Sequence, residues 1–301
     1  MGDTILKINN LSKKYGSKTV LNNVNFSVEK GKIYGFIGEN GAGKTTTIRA
    51  ITGLTAVPDG TIELFGASDK KGLSEARKKM GCLVETPILS LNKTARQNLY
   101  MQQVLFGKED PSKIEALLER VGLADVKNKK VKDFSMGMKQ RLGIAMALVH
   151  SPELLILDEP VNGLDPVGMY EVRELLRSLC ADDGITIVIS SHILAELYQL
   201  VTDYIIISKG EIIETLSRED LDEKCASYIT FETEQTEAAI EVLYQNGVNS
   251  IGHEGNSIRV YDNVPLKSVA RWMFDSRIMV TLLMRYERSL ENYYIELLGR
   301  T

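Results

Sequence analysis

Gly38-Glu39-Asn40-Gly41-Ala42-Gly43-Lys44-Thr45 decides how this 301-residue chain is read. The spacing is G-x-x-x-x-G-K-[ST], that of a phosphate-binding loop. Before it, Ile33-Tyr34-Gly35-Phe36-Ile37 reads as a short buried strand; after it, Thr46-Thr47-Ile48-Arg49-Ala50-Ile51 can open a helix. A loop held between such a strand and a helix N-terminus is the context the motif requires. The glycines let successive backbone N–H groups turn toward one anion, and the helix dipole favours negative charge there. Lys44 is expected to reach the β- and γ-phosphates of a nucleotide, and the Thr45 hydroxyl to ligate Mg²⁺.

A second stretch points to the same edge of the fold. Leu154-Leu155-Ile156-Leu157 is a continuous apolar run, as a buried parallel strand requires, and it ends on Asp158-Glu159. An open α/β sheet binds ligands beyond the carboxyl ends of its strands. Asp158 can hold Mg²⁺, mostly through water, and Glu159 can take a proton from a water attacking the γ-phosphate. Residues 185–190 form another buried strand that ends at Ser191-His192, which aims His192 at that edge for a γ-phosphate contact. Phe134-Ser135-Met136-Gly137 opens a helix over about 134–149. Ser135 fits an N-cap, so this helix start is a second potential anion site. Asn162-Gly163-Leu164-Asp165-Pro166 reads as a turn before a helix at about 167–180.

Around this core, residues 4–9, 19–28 and 61–65 alternate like strands and suggest a small antiparallel sheet. Tyr15 lies on the loop between the first two; it could stack on a nucleotide base or pack within its turn. Residues 74–84 read as a helix running into a strand, with a turn at Glu85-Thr86-Pro87. Residues 90–124 carry helical spacing, Pro111 opening a second helix and Gly122 closing it. Residues 204–208 and 211–214 form a hairpin around Lys209-Gly210. From about 217 the pattern becomes strand 227–232, helix 236–245, strands 248–251 and 257–261, helix 265–275, strand 278–285 and helix 289–298. That alternation describes a small α+β domain of ferredoxin-like type. Its Trp272, Phe274, Tyr293 and Tyr294 read as core.

Composition narrows the field. With 44% hydrophobic and 25% charged residues the chain is ordinary globular material of about two domains. A net charge of −4 gives no argument for nucleic acid, and the lysines at 127, 129, 130 and 132 read as a solvated loop. Cys82, Cys180 and Cys225 show no metal spacing and suit a reducing cytosol. There is no signal-peptide pattern and no apolar run near 18 residues; Leu6 breaks the myristoylation pattern. The chain is therefore expected not to span a membrane, though it could dock on a protein that does.

The order of these motifs resembles the ATP-binding subunit of ABC transporters over residues 4 to about 215. Phe134-Ser135-Met136-Gly137-Met138-Lys139-Gln140-Arg141 is similar to the family's signature motif, Asn162-Gly163-Leu164-Asp165 to its D-loop, His192 to the switch histidine and Tyr15 to the base-stacking aromatic. More narrowly, Leu83-Val84-Glu85-Thr86-Pro87 and the stretch Ser289–Leu297 are similar to the subgroup serving bacitracin and lantibiotic exporters of Gram-positive bacteria. The resemblance implies an α/β P-loop NTPase, ABC-type ATPase core over 1–216 with an antiparallel β subdomain and a helical subdomain at about 87–150. A C-terminal accessory α+β domain follows over 217–301. It implies ATP and Mg²⁺ as ligands, with nucleotide contacts from Tyr15, Val20, Asn40, Gly41, Ala42, Gly43, Lys44, Thr45 and Thr46. Ser135, Gly137 and Asp165 would add contacts, and Thr45, Glu85 and Asp158 would serve the metal. Catalysis would fall to Glu159, His192 and Lys44.

The implied mechanism has two copies enclosing two ATP molecules and driving a separate membrane permease from the inner face of the cell membrane. The permease would dock near Glu85, where Ile88, Leu89 and Leu91 are either an exposed contact or core. Two residues depart from the general family. Met136 replaces the first signature glycine and has to point its side chain away from the phosphate. Glu85 replaces a glutamine, which adds negative charge beside the γ-phosphate and should tune metal affinity or coupling. A soluble ABC ATPase without a permease and an ATP-sensing regulator remain as alternatives. A single cassette without a coiled-coil insertion argues against the first, and the Asp158-Glu159 pair against the second.

Overall fold

The computed structural model describes residues 3–57, 59–107, 109–225, 227–286 and 290–299. In chain order the first elements are β1 (Thr4–Tyr15), β2 (Lys18–Glu29), β3 (Ile33–Ile37), α1 (Lys44–Thr52), β4 (Asp59–Leu64), α2 (Lys70–Arg77) and β5 (Met80–Leu83). Then come α3 (Ala95–Leu105), α4 (Pro111–Arg120), α5 (Met136–Leu148), β6 (Leu154–Asp158), α6 (Pro166–Ala181), β7 (Thr186–Ser191) and α7 (Leu194–Tyr198). The last are β8 (Asp203–Ser208), β9 (Glu211–Ser217), α8 (Arg218–Lys224), β10 (Tyr228–Glu232), α9 (Thr236–Gln245), β11 (Ile251–Glu254), β12 (Ser257–Val260), α10 (Leu266–Asp275), β13 (Leu282–Tyr286) and α11 (Leu290–Gly299). The chain divides into two compact units, residues 1–218 and 219–301.

The first unit is built on a six-stranded sheet in the order β5-β6-β7-β3-β8-β9. Five strands are parallel, and β9 joins the edge antiparallel to β8. Every residue of β3, β6 and β7 is buried, which explains why these strands read as unbroken apolar runs rather than alternating ones. Their register fixes the site: Ile37 lies beside Ser191 and Asp158 beside Ser190, so three strands end level with one another.

A three-stranded antiparallel sheet, β2-β1-β4, supplies the second layer. Its inward residues Leu6, Ile8, Leu11, Leu21, Val24 and Val28 share one core with Phe36, Ile48 and Ile156. Strands β1 and β2 run further than alternation suggests. Asn10 and Asn23 take left-handed conformations, with φ of 51° each, and the ladder shifts register on either side of them. Such bulges reset which face a residue points to, so alternation fails while pairing continues.

Helices α3, α4 and α5 form the helical insertion, and each begins on a local signal. Thr94 and Gln97 make a capping box before α3, Asp110 caps α4 with Pro111 in its first turn, and Ser135 caps α5 through the Met138 N–H. Among the described residues no helix is long and apolar enough to cross a membrane.

The second unit is a four-stranded antiparallel sheet ordered β11-β12-β10-β13, with α9 and α10 packed on it through Phe231, Leu243, Ile258, Val269 and Met273. This is the β-α-β-β-α-β ferredoxin-like arrangement. Two of its strands begin three to four residues later than sequence alternation places them, and one device explains both. Val248 and Ile278 do not start strands; each follows a helix end, its N–H bonded back to Leu243 and Met273 respectively. The residues before them, Gly247 and Arg277, have φ of 83° and 59°. These are Schellman caps whose trailing apolar residue folds under the helix. Phe274 is 82% exposed rather than core. Gly247→Ala should lower the unfolding free energy measured in urea by about 1 kcal/mol, because the left-handed backbone is costly for any residue with a Cβ. Nothing lies within 4 Å of the added carbon, so backbone strain alone is tested.

Candidate nucleotide site

The loop 38–43 leaves β3 at the carboxyl edge of the parallel sheet and runs straight into α1. Gly43 caps that helix at φ 116°, a conformation open to glycine and closed to residues with side chains. The Gly38 N–H donates to the Ser191 carbonyl at 3.3 Å, which ties the loop to the end of β7. Lys44, 5% exposed, donates through Nζ to the carbonyl oxygens of Gly38 at 2.6 Å and Glu39 at 3.3 Å.

Strand ends bring the acidic and basic groups onto this loop. The Thr45 hydroxyl donates to Asp158 Oδ2 at 2.9 Å, and the Ser190 hydroxyl donates to Asp158 Oδ1 at 2.6 Å. Glu159 follows with φ 50°, a costly conformation for a non-glycine residue of the kind that clusters at functional sites. Its backbone N–H donates to Ser190 Oγ at 2.9 Å, which helps fix the turn. Its carboxylate is shared: Oε1 lies 3.3 Å from Lys44 Nζ and Oε2 lies 2.8 Å from His192 Nδ1. An ionised carboxylate only accepts hydrogen bonds, so His192 Nδ1 carries the proton. Five residues from three chain segments, Lys44, Asp158, Glu159, Ser190 and His192, therefore form one constellation with Thr45.

A cavity of about 600 Å³ opens beside it, lined by Tyr15, Val20, Asn40, Gly41, Gly43, Lys44, Thr45, Thr46 and Glu159. Lys18, Thr19, Asn162 and Lys209 also line it, and sequence reading had not singled them out as site residues. Lys18 and Thr19 flank the β1–β2 turn; Lys209 stands in the β8–β9 turn, so only pairing of those hairpins with the loop reveals them. Tyr15 is half-exposed at the cavity, with Lys13 Nζ over its ring 5.2 Å from the centroid. Ala42 is buried and its carbonyl accepts from the Gly210 N–H at 2.9 Å.

Other expected site residues stand apart from the cavity. Ser135 and Gly137 open α5, with Ser135 exposed, and Asp165 caps α6 by accepting from the Gly168 N–H at 2.7 Å. A side-chain carbon on Gly163 would lie 3.0 Å from Met136 Cε, so the Met136 side chain rests over the 162–165 turn. Glu85 sits at φ 62° in an ion pair with Arg49 of α1. The Thr45 hydroxyl and Asp158 carboxylate are hard oxygen donors of the kind Mg²⁺ selects. Among the described residues no group of three or more His, Cys, Asp or Glu forms a ready-made cage. That combination fits an ion which keeps waters and phosphate oxygens in its shell.

Strand, glycine-rich loop, Lys44 and a facing Asp-Glu strand end define a P-loop nucleoside-triphosphatase cassette. Comparison with known proteins refines this. A family model described as ABC transporter matches residues 21–162. The chain is 42% identical over 299 residues to the bacitracin transport ATP-binding protein BcrA of Bacillus licheniformis, covering 98% of both chains. It is 45% identical over 231 residues to the lantibiotic transport ATP-binding protein SrtF of Streptococcus pyogenes, covering 76% of this chain and 99% of SrtF. A solved ATP-binding subunit of an ABC transporter superimposes with a TM-score of 0.65 at 31% identity, covering 73% of this chain and 93% of that one. The chain belongs to the ABC transporter family, among its ATP-binding proteins.

Proposed function

We propose that this chain binds and hydrolyses ATP to power a separate membrane permease that exports, or confers resistance to, a peptide antibiotic of the bacitracin or lantibiotic type. The observation that carries the reading is the Glu159 carboxylate, held between Lys44 and His192 at the mouth of the loop. Lys44 and the loop N–H groups hold the phosphates, and Tyr15 stacks on the base. Glu159 orients and deprotonates the attacking water, while His192 stabilises charge on the γ-phosphate. Mg²⁺, held by Thr45 and Asp158, would neutralise charge that develops on the phosphate oxygens.

The exposed Ser135 and the half-buried Gly137 serve the nucleotide of a second copy, so ATP forms part of the interface and favours the closed dimer. Met136 leaves that helix end clear because its side chain lies over Gly163. The permease meets a groove of about 440 Å³ lined by Leu83, Pro87, Ile88, Met101, Leu105 and Met146. Ile88 is 94% exposed beside it, which favours contact over core for this residue. Docking there places the protein at the cytoplasmic face of the membrane.

A deletion strain should become sensitive to bacitracin or nisin-like peptides and stay unchanged toward unrelated toxins. Unchanged sensitivity to all of them would remove the transport assignment. In vitro, ATP should double the apparent mass of the Glu159→Gln protein in size exclusion. Adding Ser135→Arg should leave it monomeric while it still binds ATP. A dimer that survives Ser135→Arg would place the second copy elsewhere.

A further inference from the structure

The β8–β9 connection is a two-residue hairpin: Ser208 pairs with Glu211, and Lys209 and Gly210 turn the chain between them. Both turning residues have positive φ, 48° at Lys209 and 85° at Gly210, the pattern of a type I′ turn. Asparagine, aspartate or glycine suit the first of these positions, and a lysine there is costly. The turn lies against the nucleotide loop. The Gly210 N–H donates to the Ala42 carbonyl at 2.9 Å, and the Gly210 carbonyl accepts from the Asn22 N–H at 2.8 Å. Side-chain carbons placed on Gly43 and on Gly210 would both meet the Val20 carbonyl, at 3.2 and 2.4 Å. Val20 is therefore wedged between loop and hairpin. Lys18 stands two residues before it on β2, paired with Tyr15 where the β1–β2 hairpin closes.

These contacts order the cavity wall. Lys44, Thr45 and Glu159 stand at one end, Gly43, Val20 and Lys209 come next, and Lys18 and Tyr15 close the other. Lys18 and Lys209 are exposed, and among the described residues neither forms an ion pair. The one carboxylate among the described residues that line the cavity, Glu159, is taken by Lys44 and His192. Two positive charges thus face the cavity with nothing in the chain to answer them. We propose that Lys209 and Lys18 hold the phosphate nearest the sugar, so that nucleotide is retained through a group that ATP and ADP share. This rests on the ATPase reading above, with Tyr15 marking the base end. It accounts for a lysine in a turn where asparagine is less strained, since strained backbone persists where a ligand is clamped. It also carries a kinetic consequence: the pair grips ADP as firmly as ATP and slows its release.

In a water-like medium an ammonium about 5 Å from one unit of phosphate charge changes affinity about fourfold. The test uses full-length parent, Lys209→Asn, Lys209→Arg, Lys18→Gln and the Lys209→Asn/Lys18→Gln double variant. Each is titrated calorimetrically with ADP and with a non-hydrolysable ATP mimic in Mg²⁺ at low salt, where exposed charges are least screened. Thermal unfolding without nucleotide runs alongside. Lys209→Asn should weaken both ligands by about 3–10-fold and leave their ratio within about twofold. It should melt no lower than the parent, because asparagine suits the turn. Weaker binding in a turn that is no less stable is a result that a merely structural lysine does not give. Lys209→Arg keeps the charge and should hold both affinities within about twofold of the parent. The double variant should bind both ligands more weakly than either single variant. Unchanged ADP affinity in Lys209→Asn, a loss confined to the ATP mimic, or a loss that Lys209→Arg shares would overturn the proposal. Lys18→Gln carries the test if Lys209→Asn melts below the parent; parent-like ADP affinity there overturns it too. A parent protein that binds neither ligand would instead sink the ATPase reading itself.

Discussion

Replacing Glu159 with Gln lowers ATP turnover by about 10²–10⁴-fold, the range expected when a general base is removed, and leaves ATP affinity close to the parent value. The substitution keeps size, backbone conformation and the acceptor that His192 Nδ1 uses. It removes the negative charge and the ability to accept a proton. Lys44 loses one ionic partner at 3.3 Å but keeps the Gly38 carbonyl at 2.6 Å, so the cradle for phosphate stays in place. Binding and chemistry should therefore separate. Equilibrium titration should give a near-normal dissociation constant, and single-turnover phosphate release should be slow. Near-parent phosphate release would take Glu159 out of the catalytic role.

Lys44→Ala acts one step earlier, on binding itself. Lys44 is buried, and its ammonium meets two loop carbonyls and the Glu159 carboxylate. A charge-assisted hydrogen bond contributes about 1.5–3 kcal/mol. Losing one to phosphate should weaken ATP affinity by about 10–100-fold, since each 1.4 kcal/mol is tenfold. Lys44→Arg should not rescue it, because a planar fork does not fit a cradle built around a point charge. Isothermal titration with ATP gives the affinity, and thermal unfolding checks that the fold survives. Unchanged affinity in Lys44→Ala would mean that the loop does not hold the triphosphate in the way described.

Much of this site was legible because its parts are local. A short buried run before the glycine-rich loop marks β3, four apolar residues mark β6, and the carboxylates that follow that run can only lie at the strand's carboxyl end. Ser135 announced itself as a cap because the helix after it is continuous. What stayed hidden depends on pairing across the chain. Nothing near Glu85 in sequence names Arg49, 36 residues earlier, as its partner. Lys209 reaches the cavity only because the β8–β9 hairpin is laid against β2. The second unit misled in a different way. Val248 and Ile278 have strand-like neighbours, yet each is taken up by the helix before it, which delays β11 and β13. Phe274 followed helical spacing but not helical phase, and it faces outward.

Gly210 gives the cassette its lower limit in length. Its N–H reaches Ala42, its carbonyl accepts from Asn22, and a methyl group there would collide with the Val20 carbonyl at 2.4 Å. The hairpin that holds it lies at the far end of the first unit, yet it is wedged beneath the loop near its opposite end. A fragment cut before β8 would lack the brace under its own nucleotide loop, whereas one cut after Ser217 would retain it. Any attempt to trim this protein to a minimal ATP-binding piece has its boundary set there.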